Sequence, residues 1–413
     1  MELKAKYQYT YFIKPFIIEK KQYSKYLLDL LNNRNCKLKI FEKEKDLNLY
    51  SYFLPNIRKY FFPTFSFNKN QIAEFEKNKN DINAIMLSKL HCNIFEYRLE
   101  QKIQGKINEE NGIFFNIDKI EIVCLDTGIC FLVIKTNVEN SDRFADILNF
   151  NYKLKDINTD YRHLKDYNNI KVQTDVFGNM DEFSDFIDNI TGVNGRNKLK
   201  DIDLYNKRFF VYTYTCIDQE NWNNEDDFKN IESEFIKYSN VLSNNSTLEF
   251  NNKEFENSFQ TIKPFKYAKF GFTKQSASLI TSSIDINNYT KILFEYENEY
   301  LYTLLISLYE RIYLKKLENN FKEKKALEEF SKFTEELWTH EITNSQTGTM
   351  IFSKWKEVFE LKDIYNQIRN KYDVEYKKLK VDNNAKINRV IAMALVVSLI
   401  LNVINFIGLL RLL

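Results

Sequence analysis

Two loops carry residue types that could hold an anion. Gly192-Val193-Asn194-Gly195-Arg196-Asn197-Lys198 offers flexible backbone amides beside two cations. Phe272-Thr273-Lys274-Gln275-Ser276-Ala277-Ser278 offers hydroxyls and a cation near strand ends. Backbone N–H groups with Arg or Lys are what a phosphate group requires. Arg196, Lys198, Lys274 and Ser276 are therefore the candidate ligand-binding residues, against the plainer reading that both loops are solvated connections. Catalytic chemistry finds less footing. His91, His163 and His340 stand outside HExxH, HxH or Cys/His spacing, and no GxSxG, Walker A or GxGxxG occurs. The carboxylates Glu225-Asp226-Asp227 fall at a helix start, where the helix dipole favours them. No catalytic residue, metal site or cofactor is expected, and the chain reads as a non-enzyme.

The elements that must position these loops follow from periodicity. A strand over 7–15 and a helix over Gln22–Leu31 open the chain, and Lys37–Phe41 reads as a second strand. Lys119–Asp126 and Ile129–Thr136 are β-branched runs flanking Thr127-Gly128, a hairpin signal. A short helix is expected over Asp142–Asn149. Met180–Ile190 is amphipathic through Phe183, Phe186, Ile187 and Ile190, with Gly192 as its stop. Phe209–Ile217 is a strand, Glu225–Leu242 a helix, and Tyr267–Thr273 and Ser278–Ser282 are strands. The unit YTYFI followed by a helix recurs loosely as YTYTCI followed by a helix, the mark of a weak internal duplication. From Tyr296 the chain turns helical, with interruptions at Asn319-Asn320 and Thr343–Thr349.

Composition bounds the class. Of 413 residues, 59 are basic and 57 acidic, and no sustained basic face emerges, which argues against nucleic-acid binding. Cys36, Cys92, Cys124, Cys130 and Cys216 lack CxxC spacing and read as buried thiols of a reduced compartment. The start lacks a signal peptide's apolar core. From Val390 to Leu410 no charge occurs, and as a helix this run is about 31 Å long, one hydrocarbon core. Lys377, Lys378, Lys380, Lys386 and Arg389 precede it and Arg411 follows. The positive-inside rule then gives a single-pass inner-membrane protein with its N-terminal part in the cytoplasm. Ser398, Asn402 and Asn405 share one face of that helix, either as glue between the helices of a homo-oligomer or as the lining of a pore. Leu361, Tyr365, Ile368, Tyr372, Tyr376, Leu379, Asn383 and Ile387 carry an eleven-residue seam into the same face. It serves a stalk around a central axis or packing within one subunit.

The expected architecture is an α/β cytoplasmic domain over 1–295, with two βα-type subdomains meeting near 160–200. A helical hairpin arm over 296–349, a stalk helix over 350–389 and one C-terminal transmembrane helix over 390–410 complete it. The stretch NNAKINRVIAMALVVSLILNVINFIGLL, with Asn388-Arg389 before the apolar run, resembles the membrane entry of the CorA-type divalent-cation channels. The likeness covers about residues 350–410. The family's Gly-Met-Asn signature is absent, Ile407-Gly408-Leu409 standing near its place, and no second membrane helix follows. The aromatic-rich YQYTYFIKPF and KLKIFEKEKDLNLYSYFLPNIRKYFFPTF are similar to the CorA-like membrane effectors of type III CRISPR systems. What this resemblance implies is a homo-oligomeric channel or membrane-perturbing effector in antiviral defence. Its partners would be a lipid membrane and a small nucleotide messenger bound by the cytoplasmic domain. The competing expectation is a tail-anchored binding or scaffold protein whose helix only anchors and oligomerises.

Overall fold

The structure, a computed structural model, describes residues 2–77, 80–98, 103–107, 113–156, 170–174, 178–180, 183–192, 208–247, 259–319, 324–339 and 341–410. Its strands are β1 (Ala5–Ile17), β2 (Cys36–Leu38), β3 (Cys92–Tyr97), β4 (Ile103–Ile107), β5 (Ile113–Leu125), β6 (Ile129–Val138), β7 (Ile170–Thr174), β8 (Gly178–Met180), β9 (Phe210–Ile217), β10 (Gln260–Phe265), β11 (Ala268–Phe272) and β12 (Ser276–Ser282). The helices are α1 (Tyr23–Asn32), α2 (Leu47–Tyr52), α3 (Pro55–Phe61), α4 (Lys69–Lys77), α5 (Asp81–Leu87), α6 (Phe144–Leu154), α7 (Phe183–Thr191), α8 (Phe228–Ser239), α9 (Ile286–Tyr289), α10 (Lys291–Glu295), α11 (Leu301–Asn319), α12 (Lys324–Glu336), α13 (Gln346–Val358) and α14 (Leu361–Leu410).

All twelve strands join one sheet, ordered β10-β11-β12-β9-β1-β6-β5-β4-β7-β8, with β3 also on β5 and β2 on β3. The β-branched runs of β5 and β6 meet through a turn in which Gly128 has φ 82°. A Cβ there would lie 2.1 Å from the Ile18 carbonyl oxygen, so glycine is required on both counts. β1 and β9 are central and antiparallel, with Tyr9 opposite Tyr214, Thr10 opposite Thr213 and Tyr11 opposite Tyr212. The two Tyr-Thr-Tyr units thus lie across a local two-fold axis through the Thr10–Thr213 pair. The boundary expected near 160–200 falls largely outside the described residues.

Alternation along β1 sends Tyr11 and Ile13 to one core, and Phe12 and Phe16 to the other. The second core takes α1, α5, α6, α7 and α8; the first takes α2, α3, α11, α12, α13 and the start of α14. The result is a three-layer α/β/α sandwich. α11 lies in the middle of its layer, buried from Leu301 through Leu314, as befits a helix that is apolar nearly all round. A π-helical turn over Tyr296–Tyr300 leads into it. There the Tyr212 hydroxyl donates to the Tyr296 carbonyl at 2.7 Å, with the two rings stacked at 4.1 Å.

The C-terminal expectations are corrected here. Among the described residues, no helix is long and apolar enough to cross a membrane. The run read as a transmembrane helix is the far end of α14, whose nearer part carries Lys362, Asp363, Arg369, Lys371, Asp373, Glu375 and Lys377. The single-pass inner-membrane placement, the transmembrane helix and the membrane-channel reading fall with it. The seam divides. Leu361, Tyr365 and Ile368 are buried and Tyr372 packs beside them, against the protein's own α12 through Phe330 and against Trp338. Beyond this, Tyr376 and Ile387 are exposed.

Candidate anion-binding pocket

Lys155 stands just past the end of α6 and Arg208 just before β9. The two segments are stitched by an Asp156–Arg208 β-bridge and by the Phe209 amide donating to the Lys155 carbonyl at 2.8 Å. The β11–β12 turn brings Lys274 alongside, since β12 starts next to Val211 of β9. Between them is a cavity of about 220 Å³, lined by Lys155, Arg208, Val241, Lys274 and Gln275 among others. A single fold feature thus gathers three cations from segments spread over more than a hundred residues of chain.

The charge is not balanced. The Arg208 Nε pairs with the Asp156 Oδ1 at 2.7 Å, and the Lys274 Nζ with the Glu360 Oε1 at 2.7 Å. The Lys155 ammonium donates to the Val241 carbonyl at 3.0 Å and rides over the Tyr152 ring at 4.4 Å. Among the described residues it has no carboxylate within ion-pair distance. Burial lowers the pKa of Lys155; Asp156 opposes this and Arg208 adds to it. An anion entering the cavity would meet this surplus positive charge.

Backbone strain concentrates at the same place. Among the described residues two non-glycines have positive φ, Val241 at 52° and Glu360 at 55°. Val241 lines the cavity and Glu360 holds Lys274. A β-branched residue in the left-handed region is a true outlier, and each such residue costs about 1–2 kcal/mol. Strain of this kind gathers at ligand clamps and switches. Glu360 also stands at the corner between α13 and α14, where glycine or asparagine usually ends a helix. Arg311 of α11 lies behind: it donates to the Lys274 carbonyl at 3.1 Å, and its guanidinium covers the Phe359 ring at 4.9 Å. Pocket and helix corner are therefore in direct contact.

Of the residues singled out in the sequence, Lys274 is at the cavity. Ser276 also lines it, but its side chain is buried and committed. Its Oγ donates to the Ser239 carbonyl at 2.5 Å and lies 2.6 Å from the Thr273 Oγ1. That Oγ1 in turn accepts the amides of Gln275 and Ser276. The hydroxyls shape the turn, and side-chain cations are left to face a ligand. Arg196 and Lys198 lie outside the described residues. Ser398 is exposed on α14. Asn402 and Asn405 lie on the same helix, their side chains outside the described set. Lys155, Arg208, Val241 and Glu360 escaped sequence reasoning, because no local motif marks them; only Arg208, just before the strong strand β9, had a positional signal.

A second cleft of about 180 Å³ lies between α11, α12 and the β5–β6 turn. It sets Lys20, Lys316 and Lys332 against Asp126, Glu329 and Glu336, an even charge balance. Beside it His91 stacks on Tyr60 at 4.3 Å and bonds Asp126 at 2.9 Å, a well-partnered structural imidazole. Among the described residues no group of His, Cys, Asp and Glu can hold a metal ion.

The chain matches no protein-family model, no curated protein and no solved structure.

Proposed function

We propose that this protein is a non-enzymatic, ligand-controlled assembly protein: a phosphoryl-bearing anion binds among Lys155, Arg208 and Lys274, and α14 is the element that responds. The observation that carries the reading is the ion pair from Lys274 to Glu360, which ties a cavity with surplus positive charge to the root of a 50-residue helix. Among the described residues the cavity offers cations but no disengaged hydroxyl nucleophile, since Thr273 and Ser276 are spent on each other and on the turn, and the carboxylates of Asp156 and Glu360 are held in ion pairs. Binding, not bond-making, is the chemistry such a site supports.

The outer part of α14 supplies the assembly surface. Val374, Tyr376, Ile387, Val390, Ile391 and Met393 are exposed, and Tyr376, Ile387 and Val390 among them continue the seam that nearer the body packs on α12. A second copy of the same helix would bury them as a coiled pair. Calorimetry of the full chain with inorganic phosphate, pyrophosphate, AMP and ATP tests the first half. Binding is expected, weakened about tenfold by Arg208→Ala or Lys274→Ala, the usual worth of a charge-assisted hydrogen bond. Sedimentation of the full chain tests the second. Self-association that Ile387→Glu with Val390→Glu disrupts is expected, and a monomer at every concentration would remove the assembly role.

A further inference from the structure

Lys274 already holds an anion, the carboxylate of Glu360, and the geometry of that pair says what an incoming ligand must do. The Lys274 Nζ, of a residue that lines the cavity, reaches the Glu360 Oε1 at 2.7 Å. Glu360 reaches back only because its backbone adopts φ 55°, a conformation unfavourable for glutamate and directly preceding the first residue of α14. The helix corner is further held by Arg311, which bonds the Lys274 carbonyl and covers Phe359. Phe359 packs on Phe210 at 6.2 Å and on Trp355 at 5.0 Å. The turn that carries Lys274 and the corner that carries Glu360 thus share one set of contacts.

We infer that Glu360 is a built-in competitor for the pocket, and that a compact phosphoryl dianion acts by taking its place on Lys274 and releasing the α13–α14 corner. This rests on the anion-binding reading above. A doubly charged phosphoryl group outbids a single carboxylate for a lysine, which binds phosphate as a point charge. The cavity, about 220 Å³, is smaller than the roughly 300–1,000 Å³ that encloses a whole drug-sized ligand. It therefore suits free phosphate, pyrophosphate or the phosphate end of a larger molecule whose remainder stays outside. Once Lys274 turns inward, its ion pair with Glu360, one of the contacts at the strained corner, is gone. The corner can then relax, and α14, anchored to the body among the described residues as far as Tyr372, changes direction. Differential contact with the two arrangements is what a ligand needs to shift them.

Two measurements on the full chain decide this. Phosphate, pyrophosphate and AMP are titrated calorimetrically into wild type, Glu360→Gln and Asp156→Asn. The orientation of α14 is read by electron-electron distance measurement between spin labels at Lys229→Cys on α8 and Val374→Cys on α14. Both sites are exposed, and the five native cysteines are buried. Glu360→Gln should bind phosphate about two- to fivefold tighter, the equivalent of one exposed ion pair no longer opposing it. It should also show, without ligand, the label distance that phosphate induces in wild type. Asp156→Asn removes an equal charge from Arg208 and should alter affinity while leaving the unliganded distance at its wild-type value. Tighter binding of AMP than of phosphate would assign the ligand as the end of a larger molecule; equal binding assigns it as the free ion. If phosphate binds without moving the labels, or Glu360→Gln neither binds tighter nor moves them, the competition is wrong while the pocket stands. If none of the anions binds wild type, the pocket reading fails and the competition with it.

Discussion

Glu310 is the most exceptional side chain in the molecule. It is fully buried on α11, and among the described residues neither carboxyl oxygen has a hydrogen-bond partner. Burial raises its pKa to about 8, with Lys356 of α13 opposing the rise. A carboxyl raised in this way holds a proton in the folded state that the unfolded state has lost. Stability therefore falls as pH climbs from about 4.5 toward about 8, and the loss is complete above that. Glu310→Gln should flatten this dependence and make the protein more stable than wild type by about 1–3 kcal/mol near pH 9. Urea denaturation at about pH 5 and pH 9 checks it, and an unchanged slope would mean that the carboxyl finds a partner. Glu121 shows the opposite case. Lys39 and Lys119, at 2.7 and 2.9 Å, overcome its burial and hold its pKa at about 2. At this scale the sequence was least legible: a glutamate in an apolar helix reads as the polar face of an amphipathic pattern until the helix proves to be buried all round. Lys274 was readable as a loop cation between strands, whereas Lys155 and Arg208 become a site only through tertiary pairing.

At the scale of elements, the sequence was read well wherever period or turn chemistry was strong. The strand at 7–15, the hairpin about Thr127-Gly128, the strand at 209–217 and the helix ending before Gly192 all correspond to observed elements, whereas the break expected near Asn319-Asn320 runs into residues outside the described set. The short helices α2 and α3 were not foreseen, since six or seven aromatic-rich residues carry too few turns to show a period. Nor was the α13–α14 corner, because a helix usually ends on glycine or asparagine and here glutamate occupies the left-handed position. The Tyr-Thr-Tyr repeat proved to mark the centre of the sheet. Thr10 Oγ1 and Thr213 Oγ1 lie 2.7 Å apart, Asn151 bonds both, and the Tyr238 hydroxyl reaches Thr213 at 2.7 Å and Thr215 at 2.6 Å. All are buried. Thr213→Val keeps the shape but strips this network of its shared atom, leaving Asn151 and Tyr238 under-satisfied. A loss of about 1–3 kcal/mol is expected in chemical denaturation. A loss below about 0.5 kcal/mol would show that the network is bridged some other way.

At the scale of the whole molecule, order along the chain was legible but the fate of its last helix was not. An uncharged run after a basic segment reads as a membrane span by composition. The structure instead gives one helix whose near end belongs to the body's core and whose described apolar side chains between Ile387 and Val397 are exposed. The helix thus connects a strained, cation-rich pocket to an open apolar surface. That connection is the central claim, and hydrogen–deuterium exchange of the full chain with and without pyrophosphate tests it most directly. The account predicts slower exchange at 208–211 and 273–276, where the ligand sits, together with faster exchange at 358–366, where the corner is released. Protection confined to the pocket strands, with the corner unchanged, would contradict it.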